Sequence, residues 1–96
     1  SNGAECTVYP NPSFGKSLLR LVASEHGNCT VRIVDAQGRL MTSESTFELI
    51  NGINELSLPT EGLADGIYSV QVVYSSLANN GLHGAFIKTL PLTIRK

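Results

Sequence analysis

Tryptophan is absent from the 96 residues, methionine occurs once and cysteine twice. Two cysteines exclude a disulfide-dense scaffold, so the fold has to rest on one apolar core. No apolar run exceeds a few residues, which excludes a membrane-spanning helix. Charged residues make up only 16% of the chain and the formal net charge is −1. Without a clustered positive excess, nucleic acid is not an expected partner. The three Tyr and three Phe are spaced as core residues and not as base-stacking platforms. A charged n-region followed by an apolar h-region is also missing at the N-terminus, so an export address is expected upstream of this chain or within it.

What is present is an apolar fraction of 42% in a length suited to one domain. Ser1-Asn2-Gly3 reads as an expression remnant, and residues 4–96 as a single domain. The dominant period is two. Cys6 and Val8 alternate with Thr7 and Tyr9; Cys29, Val31 and Ile33 with Thr30, Arg32 and Val34. Tyr68, Val70, Val72 and Tyr74 alternate in the same way, as do Leu90, Leu92 and Ile94. Such alternation sends one set of side chains into a core and the other to water. Ser17–Ser24 is ambiguous between a short helix capped by Ser17 and a strand with Leu19, Leu21 and Ala23 inward. The β surroundings favour the strand.

Turn residues punctuate the strands. Asp35-Ala36-Gln37-Gly38 has Asp first and Gly last, as a type I turn prefers. Asn51-Gly52 predicts a two-residue hairpin with Phe47 opposite Leu56 and Glu48 opposite Glu55, a like-charge pair that weighs against that register. Ser75–Gly84, with Asn79-Asn80-Gly81 inside it, reads as the longest loop. Leu63-Ala64-Asp65-Gly66-Ile67-Tyr68 reads as a tyrosine corner, in which Tyr68 sends its hydroxyl back to an upstream backbone group. About seven short strands with regular turns predict an all-β, immunoglobulin-like antiparallel β-sandwich.

No constellation for catalysis is found. Gly-x-Ser-x-Gly, Gly-x-Gly-x-x-Gly and Walker-type motifs are absent. Cys6, His26, Cys29 and His83 lack the paired spacing of a zinc site, so neither metal nor cofactor is expected. Two readings of the cysteines stand: one bridge across the sandwich if their Cα atoms lie within about 7 Å, or two buried thiols acting as small apolar residues. Asn28-Cys29-Thr30 fits a glycosylation acceptor, a pattern common by chance.

Five segments in order give the chain a resemblance. Val8-Tyr9-Pro10-Asn11-Pro12 is followed by Gly15-Lys16; Val31 to Arg39 ends in Gly38-Arg39; Gly52-Ile53-Asn54 precedes Leu56-Ser57-Leu58. Then come Gly66-Ile67-Tyr68 and the closing Lys88-Thr89-Leu90-Pro91-Leu92-Thr93-Ile94-Arg95-Lys96. In these the chain resembles the type A C-terminal sorting domain of cargo proteins exported by the type IX secretion system of Bacteroidetes, over Val8 to Lys96. The long Ser75–Gly84 stretch and Pro91 within the last strand depart from the family pattern.

The resemblance implies a non-enzymatic export signal fused to an upstream cargo. Such a cargo reaches the periplasm by a separate N-terminal signal. It is then carried across the outer membrane by the secretion machinery, to the cell surface or the medium. A sortase-like peptidase cuts upstream of Tyr9 and attaches the cargo to lipopolysaccharide. Tyr9, Pro10, Asn11, Pro12, Gly15, Asp35, Gly38, Gly66 and Tyr68 are expected to serve the fold. Lys88, Leu90, Leu92, Ile94, Arg95 and Lys96 are expected to carry the sorting signal. Pro91 cannot donate a ladder bond, so the last strand is expected at a sheet edge, open to strand addition by a partner or to dimerisation. Its basic residues also guard that edge against aggregation. The competing reading is an immunoglobulin-like adhesion or carbohydrate-binding module; a small metal or thiol enzyme would require a reactive Cys6 or Cys29.

Overall fold

The computed structural model describes residues 4–11, 13–23, 25–78 and 81–95. Seven strands follow one another: β1 (Ala4–Tyr9), β2 (Ser17–Ala23), β3 (Gly27–Val34), β4 (Ser45–Leu49), β5 (Gly52–Leu58), β6 (Gly66–Ala78) and β7 (Gly81–Ile94). They form two antiparallel sheets, β1-β2-β5 and β4-β3-β6-β7. The period of two does what it predicts. Leu19, Leu21 and Ala23 of β2 are buried, and Ser17–Ala23 is a strand with no helical turn. Cys29, Val31 and Ile33 of β3 face them with Tyr68, Val70, Val72 and Tyr74 of β6. Each buried Leu, Ile or Val among them contributes about 1.5–3 kcal/mol by leaving water.

Phe14, spaced as a core residue, is instead 71% exposed, and two expected turns also fail. The Asn51-Gly52 hairpin does not form: β4 pairs with β3 and β5 with β2, so Asn51-Gly52 is a crossover between the sheets. Asn54 explains why. Its side-chain amide accepts from the Ile50 N–H at 3.0 Å and donates to the carbonyls of Ile50 and Gly52. Those are backbone groups near the mouth of the expected hairpin. The carboxylates of Glu48 and Glu55 are thereby assigned to different sheets, and Phe47 and Leu56 pack on the core from opposite sides. The expected loop over Ser75–Gly84 is the second error. β6 and β7 run on to Ala78 and Gly81, with one register irregularity at Ser76/Leu77. A ladder needs only backbone groups, so it can continue where the side-chain alternation fades.

Other turns follow expectation. The Gly38 N–H donates to the Asp35 carbonyl at 3.0 Å and Gly38 sits at φ +84°, open to glycine and strained for other residues. The Asp35 carboxylate accepts from the Gln37 and Arg39 backbone N–H groups and from Arg39 Nε. Donation by the Arg39 backbone, ahead of its side chain and the Gln37 N–H, lowers the Asp35 pKa below the usual carboxylate range. A carboxylate with a depressed folded-state pKa stabilises the turn above its ordinary pKa and loses that effect as pH falls through the lowered value. The amide signals of Gln37 and Arg39 are therefore expected to hold through mild acidification and shift together only below the usual carboxylate range. An NMR titration checks this, and in Asp35→Asn the transition should be absent.

Candidate functional site

β7 lies at the edge of its sheet, with β6 on one side only. Within it the parity of the side chains splits the expected signal in two. Leu92 and Ile94 are 0% and 1% exposed and belong to the core, and Leu90 is half-buried against it. Lys88 and Arg95 are exposed, and Lys96 lies outside the described residues. The Lys88 charge acts on Cys6 of β1, opposing the stronger effect of burial, which raises that thiol's pKa. Cys29 is buried and its thiol is pushed up to about 11, by burial first and by Cys6 second, which does not favour a reactive thiolate.

The outward edge of β7 is not bare. The Asn11 side chain donates from Nδ2 to the Pro91 carbonyl at 2.9 Å and accepts from the Thr93 N–H at Oδ1, 3.0 Å. Two residues on, the Ser13 N–H donates to the Thr93 carbonyl at 2.7 Å and the Arg95 N–H donates to the Ser13 carbonyl at 2.8 Å. Asn11 thus replaces a peptide group, and Ser13 continues as a one-residue parallel strand. The missing N–H of Pro91 falls on this outer side, where no ladder bond from β6 is lost. Upstream, Ile87 and Thr89 share the outward parity, and no partner within the described residues occupies their edge.

The loop that makes this seal is itself fixed by buried hydroxyls. Ser17 Oγ donates to the Pro10 carbonyl at 3.2 Å, and Ser13 Oγ donates to the Lys16 carbonyl at 3.3 Å. Thr60 Oγ1 donates to the Gly15 carbonyl at 2.9 Å. Ser13, Ser17 and Thr60 are 0%, 3% and 0% exposed, the buried polar side chains of the described core. Sequence reasoning missed all three, since a hydroxyl between turn residues gives no sign of its partner. Gly15, at φ +137°, closes the loop. The Tyr9–Pro10 peptide is cis, and Pro12 lies outside the described residues. Tyr9 projects from the outer face of its sheet and its hydroxyl donates to the Glu55 carboxylate, which raises the phenol pKa. Beside this loop an open groove of about 480 Å³ is lined by Pro10, Lys16, Leu18, Leu58 and Glu61 among others.

The remaining motif residues converge on the same end. Tyr68 pairs with Leu92 and Gly66 with Ile94, and the Tyr68 hydroxyl donates to the Ala64 carbonyl at 2.7 Å, the expected tyrosine corner. A Cβ on Gly66 would lie 3.7 Å from the Tyr68 ring, ordinary contact, so crowding is not what calls for glycine there. Val34, just before the Asp35–Gly38 turn, pairs with Ser69, and Ser69 with Pro91. One row thus runs Val34, Ser69, Pro91, Asn11 across the sheet. The segments of the resemblance that flank Asp35, Tyr68 and the terminal strand meet the Tyr9–Gly15 loop in it.

With this geometry in view, the family described as "Secretion system C-terminal sorting domain" matches residues 7–80. The chain belongs to that family. It is a type IX secretion sorting domain, a class of export signal and not an enzyme family. No curated protein matches the chain. Among solved structures, the crystal structure of CopC from Methylosinus trichosporium OB3b is similar with a TM-score of 0.61 at 18% identity, covering 94% of this chain and 93% of that one. At that identity the likeness bears on the β-sandwich fold alone. The sorting domain's matched region ends at Asn80, so β7 is placed by the structure and not by the family match.

Proposed function

We propose that this sorting domain delivers a cargo fused upstream of β1 to the type IX machinery, which reads the segment Leu90 to Lys96 together with Lys88. The observation that carries this reading is the division of labour within β7. Leu92 and Ile94 anchor the strand in the core, while Arg95 and Lys88 stay exposed at an edge held in a fixed position. Exposed charge on a rigid frame steers encounter and discriminates between partners. The edge bonds of Asn11 and Ser13 mean that addition of a partner strand along Pro91 to Arg95 requires that loop to leave. Side chains are therefore what the docked strand offers. A sortase-like peptidase would release the cargo by a cut on the N-terminal side of β1, which leaves all seven strands intact. The released cargo would then remain at the outer-membrane surface or enter the medium.

The test is surface delivery, in a Bacteroidetes host, of a periplasmically targeted fluorescent reporter fused to residues 4–96. Loss of residues 90–96 should abolish delivery. That deletion also removes two core side chains, so the triple variant Lys88→Glu, Arg95→Glu, Lys96→Glu is the companion. It keeps the core and should also leave the reporter periplasmic. A reporter at the surface in both cases overturns the reading.

A further inference from the structure

Asn11 and the terminal strand are 80 residues apart in sequence and bonded in space. We infer that the sorting signal is bipartite, with Asn11 the positioning residue that holds the terminal strand in the form the secretion machinery reads. This rests on the reading above of residues 90–96 as the signal.

Three observations converge on it. The first is the chemistry of the contact. A carboxamide is an uncharged side-chain group that carries an N–H donor and a C=O acceptor side by side, so it can meet a carbonyl and an N–H of one strand. Asn11 places both against β7, Nδ2 on the Pro91 carbonyl and Oδ1 on the Thr93 N–H. The second is that the contact continues. Ser13 takes up the next two outward groups of the strand, the Thr93 carbonyl and the Arg95 N–H. Four successive outward polar groups at the end of the chain are thus closed by one short loop. The third is the rigidity of that loop. Ser17 and Thr60, buried on β2 and just past β5, tie the Pro10 and Gly15 carbonyls, so the loop is anchored to the other sheet.

The strand's last residues therefore have two anchors. Leu92 and Ile94 hold them from the core, and the Asn11 loop holds them from the edge. The core anchor fixes the strand's depth, whereas the edge anchor sets where its final residues leave the sheet. Arg95, the last described residue, donates its N–H to that anchor. Without Asn11 the end of β7 frays from the edge inward, while the sandwich stays folded on its buried side chains. A fraying terminus presents its charges in many positions, and a partner then has to order it on binding.

Amide hydrogen exchange and reporter delivery together decide the matter. In Asn11→Ala, exchange at the Thr93 amide should rise roughly 10- to 100-fold, the loss of two hydrogen bonds. Exchange at Val70, buried at the sheet centre, should not change. Surface delivery should fall with Thr93 protection. Asn11→Asp keeps the acceptor toward Thr93 and loses the donor toward Pro91, so it should lie between wild type and Asn11→Ala in both readouts. If Asn11→Ala unfolds the domain, Val70 reports it and Asn11→Asp decides.

Tyr74→Phe removes one tie at the opposite end of the sandwich, the bond from its hydroxyl to the Glu25 carbonyl at 3.1 Å, and should deliver normally. The inference is overturned if Thr93 exchange does not change, or if it rises while delivery stays at the wild-type level. Delivery that survives loss of residues 90–96 removes the reading on which it rests. Delivery that needs 90–96 but is indifferent to Asn11 removes the inference alone.

Discussion

Leu92→Ala is expected to destabilise the domain by about 2–5 kcal/mol, the range for truncating a fully buried leucine when the surroundings collapse only in part. Leu92 is 0% exposed and pairs across the ladder with Tyr68, so the cavity opens beside the tyrosine corner. A domain of this size has roughly 5–10 kcal/mol in total, and the urea midpoint should fall steeply with the slope unchanged. The consequence for function is as large. Substitution of Leu92 or Ile94 should abolish surface delivery, yet through loss of the fold and not through loss of a recognised side chain. Urea unfolding of the purified domain separates the two, because Arg95→Glu should leave the unfolding free energy within about 0.5 kcal/mol of wild type, as exposed substitutions usually do. A Leu92→Ala domain as stable as wild type would show that β7 is not packed as described.

Tyr68→Phe should cost about 1–3 kcal/mol, although it removes a single oxygen atom. The Tyr68 hydroxyl is the donor to the Ala64 carbonyl at 2.7 Å, and the side chain is buried to 7% exposure. A part-buried carbonyl that loses its donor loses the hydrogen bond and has incomplete access to water in exchange. The ring itself remains, so packing is unaltered and the whole effect is assignable to the bond. The loss should appear as faster unfolding and a lower urea midpoint. Exchange should rise locally around Ala64–Gly66, where the chain passes from the β5 sheet to β6. If the variant is as stable as wild type, the tyrosine corner contributes packing alone.

Both predictions concern residues whose sequence signature was plain and which serve the fold. Leu90, Leu92 and Ile94 were legible as one alternating set, and alternation implies a shared face. Which face is buried was equally legible, because the opposite set contains Thr89, Pro91 and Thr93. Treating that inward set as part of a recognised surface conflicts with its own periodicity, and the structure makes the conflict explicit. Of the residues expected to carry the signal, Lys88 and Arg95 are exposed and Leu90 is half-buried, whereas Leu92 and Ile94 are enclosed in the core.

The Asn51-Gly52 segment teaches the opposite lesson. Asn-Gly between two alternating runs is a strong hairpin signal, and it misleads here because the competing bonds come from Asn54, a residue inside the second run. A side chain that caps the backbone at the crossover has no counterpart in turn statistics. The like charges of Glu48 and Glu55 were the one sequence feature against that register, and the register does not form.

Local chemistry in the sequence determined the strands, their inward faces, the Asp35–Gly38 turn and the tyrosine corner, because each depends on residues at most a few positions apart. It also determined that Pro91 belongs at an edge, since a missing N–H is a property of the residue itself. The tertiary structure alone decided the partition of β4 and β5 between sheets, the length of the β6–β7 ladder and the bonds from Asn11 and Ser13 to β7. The last of these joins residues 80 positions apart. Nothing in either segment encodes the other, and only the packing of one sheet on the other carries the loop after β1 to the edge of the final strand.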